Sequence, residues 1–221
     1  MELLISQFFD LALMQEALPF LLAGLRMTLL ICVVIIPVGL VLGMLTAIAS
    51  SSPRRAIRWP MIAFIDFFRA LPPLVVLIFA YSGLPFFGVR PTPFQAVCLA
   101  FIANITSYYC EVFRAGLDSV GTGQYEAAAS TGLGRATTLL YIIIPQAIRN
   151  VIPDLISNTI EVVKLTSLAS VVAIPDLLYN ADVARASTYN ATPMVLAAII
   201  YLVLLLPVVR LMSRMEHRGA G

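Results

Sequence analysis

The sequence is poor in charge, poor in cysteine and nearly without histidine. Asp, Glu, Lys and Arg make up 12% of its 221 residues, against about a quarter in soluble domains. Hydrophobic residues make up 60%, and the mean hydropathy is +0.95. Such a balance excludes a soluble enzyme core, a nucleic-acid binder and a disordered chain. The net charge of +2 is too small to specify an electrostatic partner. The three cysteines, Cys32, Cys98 and Cys110, are odd in number and lack C-x-x-C spacing. That argues against a disulfide framework or zinc site and leaves them as small apolar fillers. The single histidine, His217, lies in the polar tail. No His-based metal site or triad can be built from it. No G-x-x-x-x-G-K-[ST] loop occurs, so this chain does not bind ATP by that route.

What remains is apolar sequence in long runs. A membrane helix needs about 20 mostly apolar residues, and five segments qualify: roughly 20–50, 60–81, 94–117, 147–174 and 193–212. Pro37 interrupts the first, and Pro72-Pro73 lies inside the second. The first 17 residues carry Glu2, Asp10 and Glu16 but no Lys or Arg. They read as a short surface helix rather than a signal peptide, which has a basic start. Arginine placement predicts orientation. Arg54, Arg55, Arg58, Arg114, Arg135, Arg149, Arg210, Arg214 and Arg218 fall on one side, and only Arg90 and Arg185 on the other. The positive-inside rule then puts the N-terminus outside and the C-terminus in the cytoplasm. Gly39-x-x-x-Gly43 in the first span has the spacing that lets two helices approach closely.

The cytoplasmic loop, 119–145, contains a short helical signal. Gly123 can serve as an N-cap, with Glu126 three residues later reaching back to it. Glu126, Ala127, Ala128 and Ala129 favour helix, and Gly132 is a natural stop. About two turns cannot stand alone in water. The helix needs a partner or the membrane surface to lie on, with the alanines as a smooth face and Tyr125 and Leu133 as anchors.

Glu126-Ala127-Ala128, Gly132 four residues on, and Ile144-Pro145 resemble the EAA signature of bacterial ABC-importer permeases. Arg114-Ala-Gly116, Gly123-Gln124, Pro145-Gln-Ala147, Lys164-Leu-Thr-Ser-Leu168 and Arg69-Ala-Leu-Pro72 resemble the branch that imports polar amino acids and opines. The likeness runs from about Gly24 to the tail. Leu165, Ser107-Tyr108-Tyr109 and Glu161 depart from that branch's usual residues.

The resemblance implies one all-α permease domain over 1–221: a polytopic membrane protein of the type I importer fold, with five transmembrane helices and a cytoplasmic coupling helix. It implies an inner-membrane transport subunit rather than an enzyme. Its expected partners are ABC ATPase subunits that bind ATP and magnesium, a second identical or related permease chain, an extracytoplasmic substrate-binding protein, the amino-acid substrate and surrounding lipid. The chain itself needs no cofactor, metal or nucleic acid. Gly123, Gln124, Tyr125, Glu126, Ala127, Ala128, Gly132 and Leu133 then form the ATPase-coupling element.

Ionisable residues inside a membrane are costly and face a cavity or each other. Asp66 with Arg69, Glu111 with Arg114, and Glu161 with Lys164 have i,i+3 spacing, which puts each pair on one helix face. Self-neutralisation is the plain reading of each. Glu161 and Lys164 fall roughly 21 to 26 Å into the fourth span at 1.5 Å per residue. Their neighbours Asn158, Thr166 and Ser167 make a face that needs water, a partner or a ligand. Asn104, Ser107 and Tyr108 of the third span can line the same cavity, or else bond between helices. An ammonium meeting Glu161 and a carboxylate meeting Lys164 would hold an amino acid; a pair that only shapes an aqueous path is the alternative. The competing function is an ion-coupled secondary transporter or channel subunit. Ser167–Lys164 enzyme chemistry has no supporting motif.

Overall fold

The computed structural model describes residues 6–219. Glu2 and the side chains of Arg214, His217 and Arg218 lie outside the described residues. All described regular structure is helical. The first helix, α1 (Leu11–Ser50), is capped by Asp10, whose Oδ1 accepts from the amides of Ala12 and Leu13 at 3.0 and 3.1 Å. It starts nine residues before the apolar run expected at 20 and passes through Pro37 without a break. The start of α1 is tied to the far end of the chain. The Ala191 amide donates to Gln7 O at 3.0 Å, and the Asp10 amide donates to Thr192 Oγ1 at 3.2 Å.

The second predicted span is broken. Helix α2 (Arg55–Ala70) ends at Leu71, and α3 (Pro73–Ile78) with its continuation to Phe87 leaves at 104° to it. The cause is local. Neither Pro72 nor Pro73 has an N–H, and each disfavours helical geometry in the residue before it. Among the described residues, four helices are long and apolar enough to cross a membrane, and this bent pair is a fifth crossing if counted as one.

Helix α4 (Pro93–Asp118) is the axis of the bundle, with Phe101, Ile105, Tyr109 and Cys110 buried in the main core. Thr92 and Gln95 form a reciprocal capping box at its start. Glycines bring α1 against it. A Cβ on Gly39 would lie 2.5 Å from Ile105 Cδ1, and one on Gly43 would lie 2.6 Å from Tyr109 Cβ. The Gly39-x-x-x-Gly43 spacing is thus a real packing seam.

After α4 come α5 (Thr122–Ser130), α6 (Arg135–Thr138) with a π-turn over Leu139–Ile143, and α7 (Ile144–Asn150). The fourth predicted span is segmented as well. It breaks at Val151, runs on as α8 (Ile152–Leu165), tightens to a 3₁₀ stretch (Thr166–Val172), and stops at Ala173 in the left-handed region, φ 57°. Pro153, which gives no N–H to Arg149, accounts for the break. Helix α9 (Leu177–Thr188), capped by Asp176, packs in a second small core with α1 and α10 (Thr192–Gly219).

Candidate functional site

A cavity of about 500 Å³ opens where α4 and α8 face each other beneath Pro73 of α3. Its polar lining is Asn104, Tyr108, Asn158, Glu161, Lys164 and Ser167. Ile105, Val162, Leu165 and Leu168 supply apolar wall. Six of the eight pathway candidates therefore meet in one place. Glu161 and Lys164 come from adjacent turns of α8, and Lys164 Nζ donates to Glu161 Oε1 at 2.6 Å. Both side chains remain more than half exposed, so they can reach a guest.

The other two candidates do not line it. Ser107 is fully buried and donates to Asn104 O at 2.6 Å. Thr166 is fully buried and donates to Val163 O at 2.7 Å. Each hydroxyl is turned back onto its own helix, so a polar residue beside a cavity need not point into it. Glu161 and Lys164 also lie less deep along their helix than expected, because the break at Val151 restarts the count at Ile152. Tyr109, which sequence reading did not count among the pathway candidates, backs the cavity and shares a 2.8 Å hydrogen bond with Thr159 Oγ1. That bond joins α4 to α8 behind the site.

Of the two remaining charge pairs, one forms and one does not. Arg114 donates to Glu111 Oε2 at 2.9 Å. Arg69 ignores Asp66 and lies 3.5 Å from the same Glu111 oxygen, on a different helix. Helical spacing makes Asp66 a possible partner, but Glu111 already faces Arg69 across the α2–α4 contact. Arg69 also sits 5.8 Å above the ring of Tyr108.

The loop helix α5 differs in detail from the sequence reading. Its N-cap is Gly121, not Gly123, and no side chain caps it. Glycine offers no side-chain acceptor, so the start is set by the preceding turn. The stop is as read: Gly132 takes φ 77°, and the amides of Gly132 and Leu133 donate to Ala129 O and Ala128 O at 3.0 and 3.1 Å. The alanines do not share one face, because successive residues are 100° apart. Ala128 is buried, while Glu126, Ala127 and Ala129 point outward. Tyr125 lines a groove of about 570 Å³ with Ile48, Ile57, Leu117 and Leu139, so part of it faces its own chain. Leu133 remains exposed. Gln146 Nε2 donates to Gln124 Oε1 at 3.3 Å, and Asn150 Nδ2 donates to Ser119 Oγ at 2.8 Å. The first bond braces the loop helix against α7, and the second ties α7 to the C-terminal end of α4.

Comparison with known proteins places this geometry. Over 194 residues the chain is 34% identical to the probable amino-acid ABC transporter permease protein YckA of Bacillus subtilis (strain 168), covering 87% of this chain and 86% of that protein. Over 196 residues it is 36% identical to the probable glutamine ABC transporter permease protein GlnM of the same organism, covering 88% and 91%. Its structure superposes with a TM-score of 0.85 on a chain from the crystal structure of an amino acid ABC transporter with histidines, at 34% identity and covering 95% and 98% of the two chains. Residues 39–219 match the family described as the binding-protein-dependent transport system inner membrane component, and this chain, with its bent second span and braced loop helix, belongs to that family.

Proposed function

We propose that the chain is the membrane half of an ATP-driven importer of polar amino acids, working by alternating access. The observation that carries this is the cavity with the Glu161–Lys164 pair exposed in it. The pair is neutral as it stands. A guest that displaces one partner from the other leaves a charge without its counter-charge unless it engages both. A zwitterion does so: its ammonium takes Glu161 and its carboxylate takes Lys164. Asn158, Asn104, Tyr108 and Ser167 offer further hydrogen bonds. A side chain bearing a second cation suits the exposed acid, Glu161, best.

In this reading ATP and magnesium belong to a partner ATPase. Helix α5 docks in a groove of that subunit through Gly123, Gln124, Glu126, Ala127 and the Gly132–Leu133 turn. A Cβ on Gly123 or Gly132 would meet nothing of this chain within 4 Å, which leaves room for close approach. Movement of the motor passes through the braces to α7 and α4, and so to the cavity walls. Nucleotide shifts the equilibrium between inward-facing and outward-facing states by its differential affinity for the two. A second permease chain completes the pore, and a binding protein delivers substrate from the outside. The N-terminus faces outside and the C-terminus the cytoplasm.

The test is uptake by the complete complex in proteoliposomes, with radiolabelled L-glutamine, L-arginine and L-histidine assayed in parallel. Uptake dependent on ATP inside the vesicle and on the binding protein is the expected result. Uptake driven by a proton gradient without ATP overturns it. Glu161→Gln is expected to raise the half-saturating concentration for the cationic substrates; unchanged kinetics for all of them removes Glu161 from direct contact.

A further inference from the structure

Beyond the cavity floor lies a group of charges that the reading above does not use. Arg69 and Arg114 converge on a single oxygen, Glu111 Oε2, at 3.5 and 2.9 Å. Two cations thus share one anion, and the nearest other acid on the same helix as Arg69, Asp66, makes no ion pair among the described residues. A guanidinium has five N–H donors. Among the described residues Arg114 makes one side-chain hydrogen bond, to Glu111, and Arg69 makes only the ion pair and its contact with the Tyr108 ring. Each arginine side chain is about 40% exposed, so the free donors are open to a visitor.

The position of this group matters. Tyr108 lines the cavity, and Arg69 sits 5.8 Å from the centroid of its ring. Glu111 and Arg114 follow Tyr108 on α4 by about 4.5 and 9 Å along the axis. They lead toward the helix end that joins the loop 119–145. The charge cluster therefore follows Tyr108, a residue of the cavity lining, along α4 toward that end.

We propose that Arg69 and Arg114 form a second, transient binding station for the carboxylate of the substrate, entered after it leaves Lys164. This rests on the reading of the cavity as an amino-acid site. Glu111 competes with the guest for the same donors. It keeps the station weak, so that the carboxylate is passed on rather than held. Planar, forked guanidinium groups suit this task, because they bind carboxylates through paired N–H bonds.

The test uses the complete complex, with L-glutamine, L-arginine and L-histidine as probes for uptake and for equilibrium binding in the nucleotide-free state. For Arg69→Gln the expected result is uptake slowed by about tenfold, with equilibrium binding within about twofold of the unaltered protein, since the first site is intact. For Glu111→Gln the expected result is the opposite in binding: about threefold tighter or more, because the competing carboxylate is gone, with slower uptake. A cluster that only clamps α2 to α4 predicts weaker binding for Glu111→Gln. Arg69→Gln uptake within about twofold of normal, or Glu111→Gln binding no tighter than normal, overturns the station. Where Arg69→Gln fails to assemble, Glu111→Gln decides alone. If the unaltered complex binds none of the probes, the cavity reading falls and the station with it. If it binds and transports them while Arg69→Gln is normal, only the station falls.

Discussion

Asn104 Nδ2 donates a 3.1 Å hydrogen bond to the carbonyl of Phe68. In an unbroken helix that carbonyl would accept from residue 72, but residue 72 is proline and has no N–H. The amide of α4 thus completes the last turn of α2 at the point where the second span bends. Asn104→Leu removes the donor and leaves a carbonyl without a partner inside the bundle. The expected loss is about 1–3 kcal/mol, read as a lower thermal midpoint of the purified protein in detergent. Asn104→Gln, which keeps a carboxamide donor, is expected to lose less.

The seam between α1 and α4 gives a second test. A methyl group on Gly43 would press on Tyr109 Cβ and on the Cys110 amide. These atoms belong to a buried helix backbone and its first side-chain carbon, which cannot swing aside. Gly43→Ala is expected to destabilise by about 1–3 kcal/mol, and Gly43→Leu to prevent assembly. Gly121→Ala, where nothing lies within 4 Å, is the control and should leave the thermal midpoint unchanged.

Asp176 makes stability depend on pH. Its carboxyl is fully buried, Oδ1 accepts from the Tyr179 amide at 2.8 Å, and Oδ2 has no partner among the described residues. Burial pushes its pKa up from 3.8 to about 6, against the weaker pull of that hydrogen bond. The fold therefore favours the neutral acid. Its contribution is fully present below about pH 4, falls as pH rises toward 6, and leaves a constant penalty above that, on the order of 3 kcal/mol. Asp176→Asn keeps an acceptor for Tyr179 and carries no charge. It is expected to melt higher than the unaltered protein at pH 8 and to flatten the dependence of the melting temperature between pH 4 and about 7. An unaltered slope would mean that the carboxyl is ionised in the fold throughout.

Two neighbouring alanines separate docking from folding. Ala127 points outward and Ala128 is buried at 3% exposure. Ala127→Asp is expected to leave the melting temperature within about a degree or two while uptake falls and ATP hydrolysis by the assembled complex continues. Ala128→Asp buries a charge and is expected to lower the melting temperature as well. Normal uptake by Ala127→Asp would remove this face of the helix from the coupling surface.

The braces behind that helix make the related prediction. Without Gln146, the Gln124 carboxamide loses its partner in α7, and motion of the loop helix no longer carries α7 with it. Gln146→Ala is expected to lower the number of substrate molecules imported per ATP hydrolysed, with binding in the cavity unchanged. The ratio of uptake to ATPase rate in one preparation measures this directly.

The apolar runs and the small-residue seam were legible because each depends on composition or on spacing within one helix. Gly132 was legible for the same reason: its left-handed turn is a local demand. Partners supplied by another helix were not. Arg69 meets Glu111 across 42 positions of sequence, and nothing in its own helix shows that Asp66 would be passed over. Ser107 and Thr166 were misplaced because composition marks a polar face but does not show which hydroxyls turn back to their own backbone. Tyr109 stood out in the sequence as a departure from the branch's usual residues but not as a pathway candidate, because a buried aromatic reads as core and its hydroxyl bond to Thr159 links residues 50 positions apart. The bend after α2 was signalled by Pro72-Pro73, but its angle is set by tertiary packing.

Helix α5 carries a single acidic or basic side chain, Glu126, in its nine residues. On the docking role proposed for it, a surface with so little to screen is insensitive to brine. At about 1 M salt the screening length shrinks to about 3 Å, which dissolves joints made of opposed charges but not one made by fit. Whatever seats on this knob should stay attached through a high-salt wash and be stripped instead by agents that wet apolar surfaces.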